Sequence, residues 1–130
     1  AMIAVGLDAV EISAGISSGK LGSVRALNDA VTEDVYFRER AASVKRAVGI
    51  PVMMVGGIRK VETAEAIIAS GEADFVSICR PLIRQPDLIN RWAIGDRERS
   101  TCISCNKCQT IIDRKEPLEC GEDRRIVEEG

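Results

Sequence analysis

The 130-residue sequence contains no histidine. That absence removes the commonest general acid/base at neutral pH, and with it any Ser–His or Cys–His nucleophile pair. Aromatic residues make up 3% of the chain, so self-contained catalysis is not expected. No apolar run approaches the ~20 residues needed to cross a bilayer. The start, Ala1 to Asp8, has neither a basic region nor a long apolar stretch of the kind a secretory signal needs. A soluble, cytoplasmic protein with no membrane partner is expected. Charge of one sign is also scarce: the formal net charge is −2, from interspersed acids and bases. Without a broad positive face, nucleic acid is not expected as a partner.

What is present is the composition of a globular domain, 45% hydrophobic and 29% charged. Three short apolar runs rich in branched residues read as buried strands: Asp8 to Ser13, Pro51 to Gly56 and Asp74 to Cys79. Between the second and third, Val61, Ala64, Ile67 and Ile68 fall at helical spacing, and Gly71 supplies a stop. Between the first and second, Val35, Ala41, Val44 and Val48 share roughly one helical face, with Tyr36 placed in that helix as a structural residue. A further helix is expected from Pro86 to Ile94, ended by Gly95. Strands alternating with helices imply parallel βαβ units with right-handed crossovers.

The stretch Ala14 to Asp34 has little periodicity and several Gly and Ser residues. It reads as a long loop leaving the C-terminal end of the first strand, either a site-bearing βα loop or a solvated connector. Three βα units are too few for a (β/α)8 barrel, which closes with eight strands over ~250 residues. Three strands alone would leave two open edges. The expectation is therefore a piece of a longer polypeptide, with the remaining N-terminal part of the barrel as its partner, or self-association through those edges.

The two later strands end alike, in Val55-Gly56-Gly57-Ile58-Arg59 and Ile78-Cys79-Arg80-Pro81. Glycine lets the main chain approach a ligand closely, and an adjacent arginine can bind phosphate oxygens with two parallel hydrogen bonds. A plain turn is the alternative for a single Gly-Gly, and the pairing of two such ends is what favours a phosphate site. Beside Arg80, Cys79 reads as an activated nucleophile or as a small buried residue, and the second is expected.

The stretch from Ile50 to Pro86, IPVMMVGGIRKVETAEAIIASGEADFVSICRPLIRQP, resembles the closing part of the old yellow enzyme and NADH:flavin oxidoreductase family. The usual family form there is close to PVI-VGGIR, AE-IL-SG-ADLV and LGRPLI-DP, and the match extends upstream to Asp8 and downstream to the cysteines. The resemblance implies that residues 1–98 are the C-terminal βα units, strands six to eight, of an FMN-binding TIM barrel. It places the FMN phosphate between Gly56, Gly57 and the Cys79-Arg80 pair, with Cys79 standing where the family usually has glycine. The whole enzyme would pass hydride from NAD(P)H to FMN and then to an activated alkene or related electrophile. The histidine pair and the aromatic proton donor of many relatives are not in this chain.

Residues 99–130 form a cysteine-rich tail. Cys102, Cys105, Cys108 and Cys120 follow the spacing C-x2-C-x2-C-x11-C. Three thiolates on a tight loop with a fourth returning can surround a cubane cluster. Structural zinc, which favours two separated C-x2-C pairs, and free or disulfide-linked thiols are the alternatives. CISCNKC is similar to the CIGCN motif of the family's iron–sulfur branch, represented by trimethylamine dehydrogenase and dienoyl-CoA reductases, where these cysteines ligate a [4Fe–4S] cluster. The rival reading from another class is a non-catalytic, cysteine-rich metal-binding or electron-transfer module that never holds flavin.

Overall fold

The computed structural model describes residues 6–13 and 35–129. The long loop expected from Ala14 to Asp34 lies outside the described residues. Three strands form one sheet: β1 (Val10–Ile12), β2 (Val52–Val55) and β3 (Phe75–Ser77), in the order β1-β2-β3. Both pairings are parallel, with Val10 opposite Val52 and Met54 opposite Val76. Helix α1 (Arg38–Ala47) connects the first pair, and α2 (Val61–Ala69) the second. This is a mixed α/β architecture with consecutive βαβ units, a partial (β/α) barrel.

The pleat divides the residues of each strand between two faces. On the helix side Val52 and Met54 are fully buried, and Met54 joins Ala41 of α1, Ile67 of α2, Ile58 and Ala73 in one core. On the other side Phe75 of β3 is 56% exposed and Glu11 of β1 is also exposed. Glu11 accepts a 2.5 Å hydrogen bond from the Ser77 hydroxyl, so polar residues of β1 and β3 meet across β2 on the face that a closed barrel turns inward.

Helix α2 ends as its sequence foretells. Gly71 adopts φ +69, its N–H donates to the Ile68 carbonyl and the Glu72 N–H donates to that of Ile67, which satisfies the last carbonyls of the helix. Asp74 then laces β3 to β2: its N–H donates to the Val52 carbonyl, and its carboxylate accepts from the Val52 N–H at 2.8 Å and from Lys45 of α1 at 2.7 Å.

Four further helices follow: α3 (Arg80–Arg84), α4 (Leu88–Ala93), α5 (Lys107–Asp113) and α6 (Gly121–Glu129). Helix α4 matches the expected helix before Gly95, and its Leu88 and Trp92 are buried. The others were not foreseen, including two in the cysteine-rich tail. Helices α5 and α6 pack closely enough that a Cβ on Gly121 would lie 2.6 Å from Lys107 Cβ. Lys107 pairs with Glu122 at 2.6 Å, and Arg84 of α3 pairs with Asp123 at 2.8 Å. Among the described residues no helix is long and apolar enough to cross a membrane.

Candidate functional site at the strand ends

Because the strands are parallel, their C-terminal ends open on one edge, and two of them build a cavity there. After β2, Gly56 and Gly57 take φ +113 and +79, a region that residues with a Cβ rarely occupy. Gly56 is further confined by its neighbours: an added Cβ would meet Tyr36 Cε2 at 2.6 Å and Phe37 Cδ2 at 3.0 Å. After β3, the chain passes through Ile78 and Cys79 into α3, which opens with Arg80 and Pro81. The two ends enclose a cavity of about 50 Å³ lined by Gly56, Gly57, Cys79 and Arg80, together with Tyr36, Arg59 and Ser104. The four residues singled out in the sequence for phosphate are therefore brought together.

Two of the expectations need correction. Cys79 is exposed at the cavity and not a buried small residue, because it lies at the turn from β3 into α3. Tyr36 is not within a helix; it occupies the turn just before α1, and its ring packs edge-on against Phe37 at 4.6 Å between centroids. From that turn its hydroxyl accepts a 3.1 Å hydrogen bond from Arg80 Nη2. The other arm of the same guanidinium, Nη1, donates to Asn106 Oδ1 at 2.6 Å. Arg80 is thus held between the turn that precedes α1 and the cysteine-bearing segment.

Arg59 makes a second fastening. It is 9% exposed, and its Nη2 donates to the hydroxyl of Ser104, itself 4% exposed, at 2.6 Å. Its carbonyl accepts from the Ser100 N–H at 2.8 Å. Gln85 receives the Ser100 hydroxyl and the Thr101 N–H, both at 2.8 Å, and Arg84 donates to the Thr101 carbonyl. Ser104 and Asn106 carry positive φ, 56 and 62, which folds the chain between Cys102 and Cys108 into a tight loop. Short polar side chains tolerate that conformation better than branched ones.

The four tail cysteines are free thiols, and all four line a second, smaller cavity beside Arg80, Ser104 and Asn106. Burial pushes the Cys108 thiol above its ordinary range; a backbone N–H opposes that rise, the neighbouring Cys102 and Cys105 add to it, and Arg80 opposes it. Four thiols are the donor set that a [4Fe–4S] cluster takes. Their arrangement is not a formed ligand set, however: among the described residues no three His, Cys, Asp or Glu side chains are placed to hold a metal ion. For a phosphate the fit is closer, since glycine main chain and a clamped guanidinium already face one small cavity.

A parallel βαβ sheet with a cavity at the C-terminal edge of its strands is an α/β arrangement consistent with part of a (β/α) barrel. The sequence model of the NADH:flavin oxidoreductase / NADH oxidase family matches residues 5–98, and the chain belongs to that family. Among curated relatives, it is 33% identical over 112 residues to a bilirubin reductase of Mediterraneibacter gnavus, covering 81% of this chain and 18% of the relative. It is 47% identical over 73 residues to an NADH oxidase of Thermoanaerobacter brockii, covering 55% of this chain and 11% of the relative. A 4,4'-dithiodibutanoate disulfide reductase of Rhodococcus erythropolis is 34% identical over 80 residues, covering 62% of this chain and 20% of the relative. The chain spans no more than a fifth of the length of these relatives.

Proposed function

We propose that the chain supplies the phosphate end of an FMN site to an NAD(P)H-dependent oxidoreductase whose remaining barrel strands lie elsewhere in the polypeptide. The observation that carries this reading is the single cavity shared by the Gly56-Gly57 turn and Arg80 at neighbouring strand ends, within a chain of the NADH:flavin oxidoreductase family. Bound FMN would supply hydride transfer, in the assigned direction from NAD(P)H toward an activated alkene or related electrophile. The chain's own residues bind and orient. The main chain at Gly57 and Cys79 would hold the phosphate, and Arg80, steadied by Tyr36 and Asn106, would neutralise its charge.

In the same reading residues 1–98 are the last three barrel units and residues 99–130 a cysteine tail. The open edges of β1 and β3 are covered by the rest of the barrel. Cys102, Cys105, Cys108 and Cys120 would hold a [4Fe–4S] cluster, with the thiols drawing together as the metal binds, since ligand sets often form only with their metal.

Replacing Arg80 tests the central assignment. In the full-length protein Arg80→Ala is expected to weaken FMN binding about tenfold or more, the size of a lost charge-assisted hydrogen bond, with Arg80→Lys falling between. Unchanged affinity in a folded variant would refute the role.

A further inference from the structure

The phosphate cavity and the cysteine cavity share a wall. Arg80 and Ser104 line both, so no independent layer of residues separates them. Two side-chain bonds join the sides: Arg59 Nη2 to Ser104 Oγ and Arg80 Nη1 to Asn106 Oδ1, each 2.6 Å. The first is buried, and the Ser100 N–H bond to the Arg59 carbonyl reinforces it. Cys105 sits between the two fastened residues, and Cys102 and Cys108 lie two residues outside them.

We infer that Arg59 and Asn106 are positioning residues that couple the two cavities, so that an oxyanion bound at Gly56-Gly57 and order in the cysteine loop 100–108 favour one another. The inference rests on reading the first cavity as a phosphate site. Asn106 does not line that cavity, yet it fixes the guanidinium that does. A guanidinium already held in place loses less rotamer freedom when an anion arrives, and the anion in turn holds the guanidinium against Asn106. Such linkage is reciprocal by thermodynamic necessity. The positive φ of Ser104 and Asn106 sharpens the dependence, because a loop in that conformation persists when its surroundings hold it there.

Amide hydrogen exchange of the full-length protein provides the test, with FMN and, separately, inorganic phosphate as probes. FMN is expected to slow exchange across residues 100–108 by about fivefold or more, the lower range of measured site-to-site couplings. Phosphate alone is expected to give the same pattern at higher concentration. Asn106→Gly, which keeps the left-handed backbone, is expected to weaken FMN binding by a similar factor and to abolish the protection. A residue that merely supported the loop would change exchange equally with and without FMN. FMN bound tightly by the unaltered protein with no change across residues 100–108 overturns the coupling alone. Failure of the unaltered protein to bind FMN overturns the phosphate reading and the coupling with it.

Discussion

Arg80 Nη1 donates to Asn106 Oδ1 at 2.6 Å, joining the end of the third strand to the cysteine loop 26 residues further along the chain. The bond gives one guanidinium two neighbours of different kind. On one side are the glycine turn and Tyr36, and on the other the loop that carries three thiols. The tail is therefore built onto the C-terminal strand edge of the partial barrel.

Gly56 has no room for a side chain. Its φ of +113 and the 2.6 Å approach that a Cβ would make to Tyr36 both oppose substitution. Gly56→Ala is expected to lower stability by about 1–3 kcal/mol, the cost of a strained backbone position. Chemical denaturation checks this. A variant as stable as the parent would show that the turn and Tyr36 are not packed as described.

Asp74 makes stability sensitive to acid. Its carboxyl is held below the ordinary value of 3.8, first by the Lys45 ammonium and then by the Val52 N–H. A depressed folded-state value means that the contribution is fully present above the unfolded value and is lost as pH falls through the folded one. Thermal stability is expected to decline below roughly pH 4, the ordinary aspartate range. In Asp74→Asn that part of the decline should disappear. An identical acid profile in both proteins would contradict the lacing role.

Much of the sheet is legible in the sequence, because each strand is a short branched run and each crossover helix carries apolar residues at helical spacing. Ile67 is fully buried as that spacing requires, although Ile68 beside it is 41% exposed at the rim of the helix. The paired glycine and arginine strand ends likewise announce their cavity. Less visible were α3, a five-residue helix with Pro81 in its first turn, and α6, whose residues are mostly charged. Neither has an apolar stripe to read. The partners of Tyr36 and Arg59 are hidden for another reason: the strand-end pattern offers Arg59 as a phosphate ligand, yet its Nη2 binds Ser104, and the two partners lie 44 and 45 residues distant, which no local pattern reports.

The cysteine tail makes a compositional prediction. Full-length protein purified without oxygen is expected to hold about four iron atoms per chain and to show broad visible absorption that bleaches on reduction. Cys105→Ser should lose most of that iron. A protein that retains flavin but contains no iron would sink the cluster assignment and leave the flavin site standing.

The most direct measurement is the location of the FMN phosphate in a crystal structure of the full-length protein with flavin bound. The phosphate is expected in the cavity between Gly57 and Cys79, within hydrogen-bond distance of Arg80. Flavin bound with its phosphate elsewhere, or Arg80 turned away from it, would contradict the role of the Gly57–Arg80 cavity.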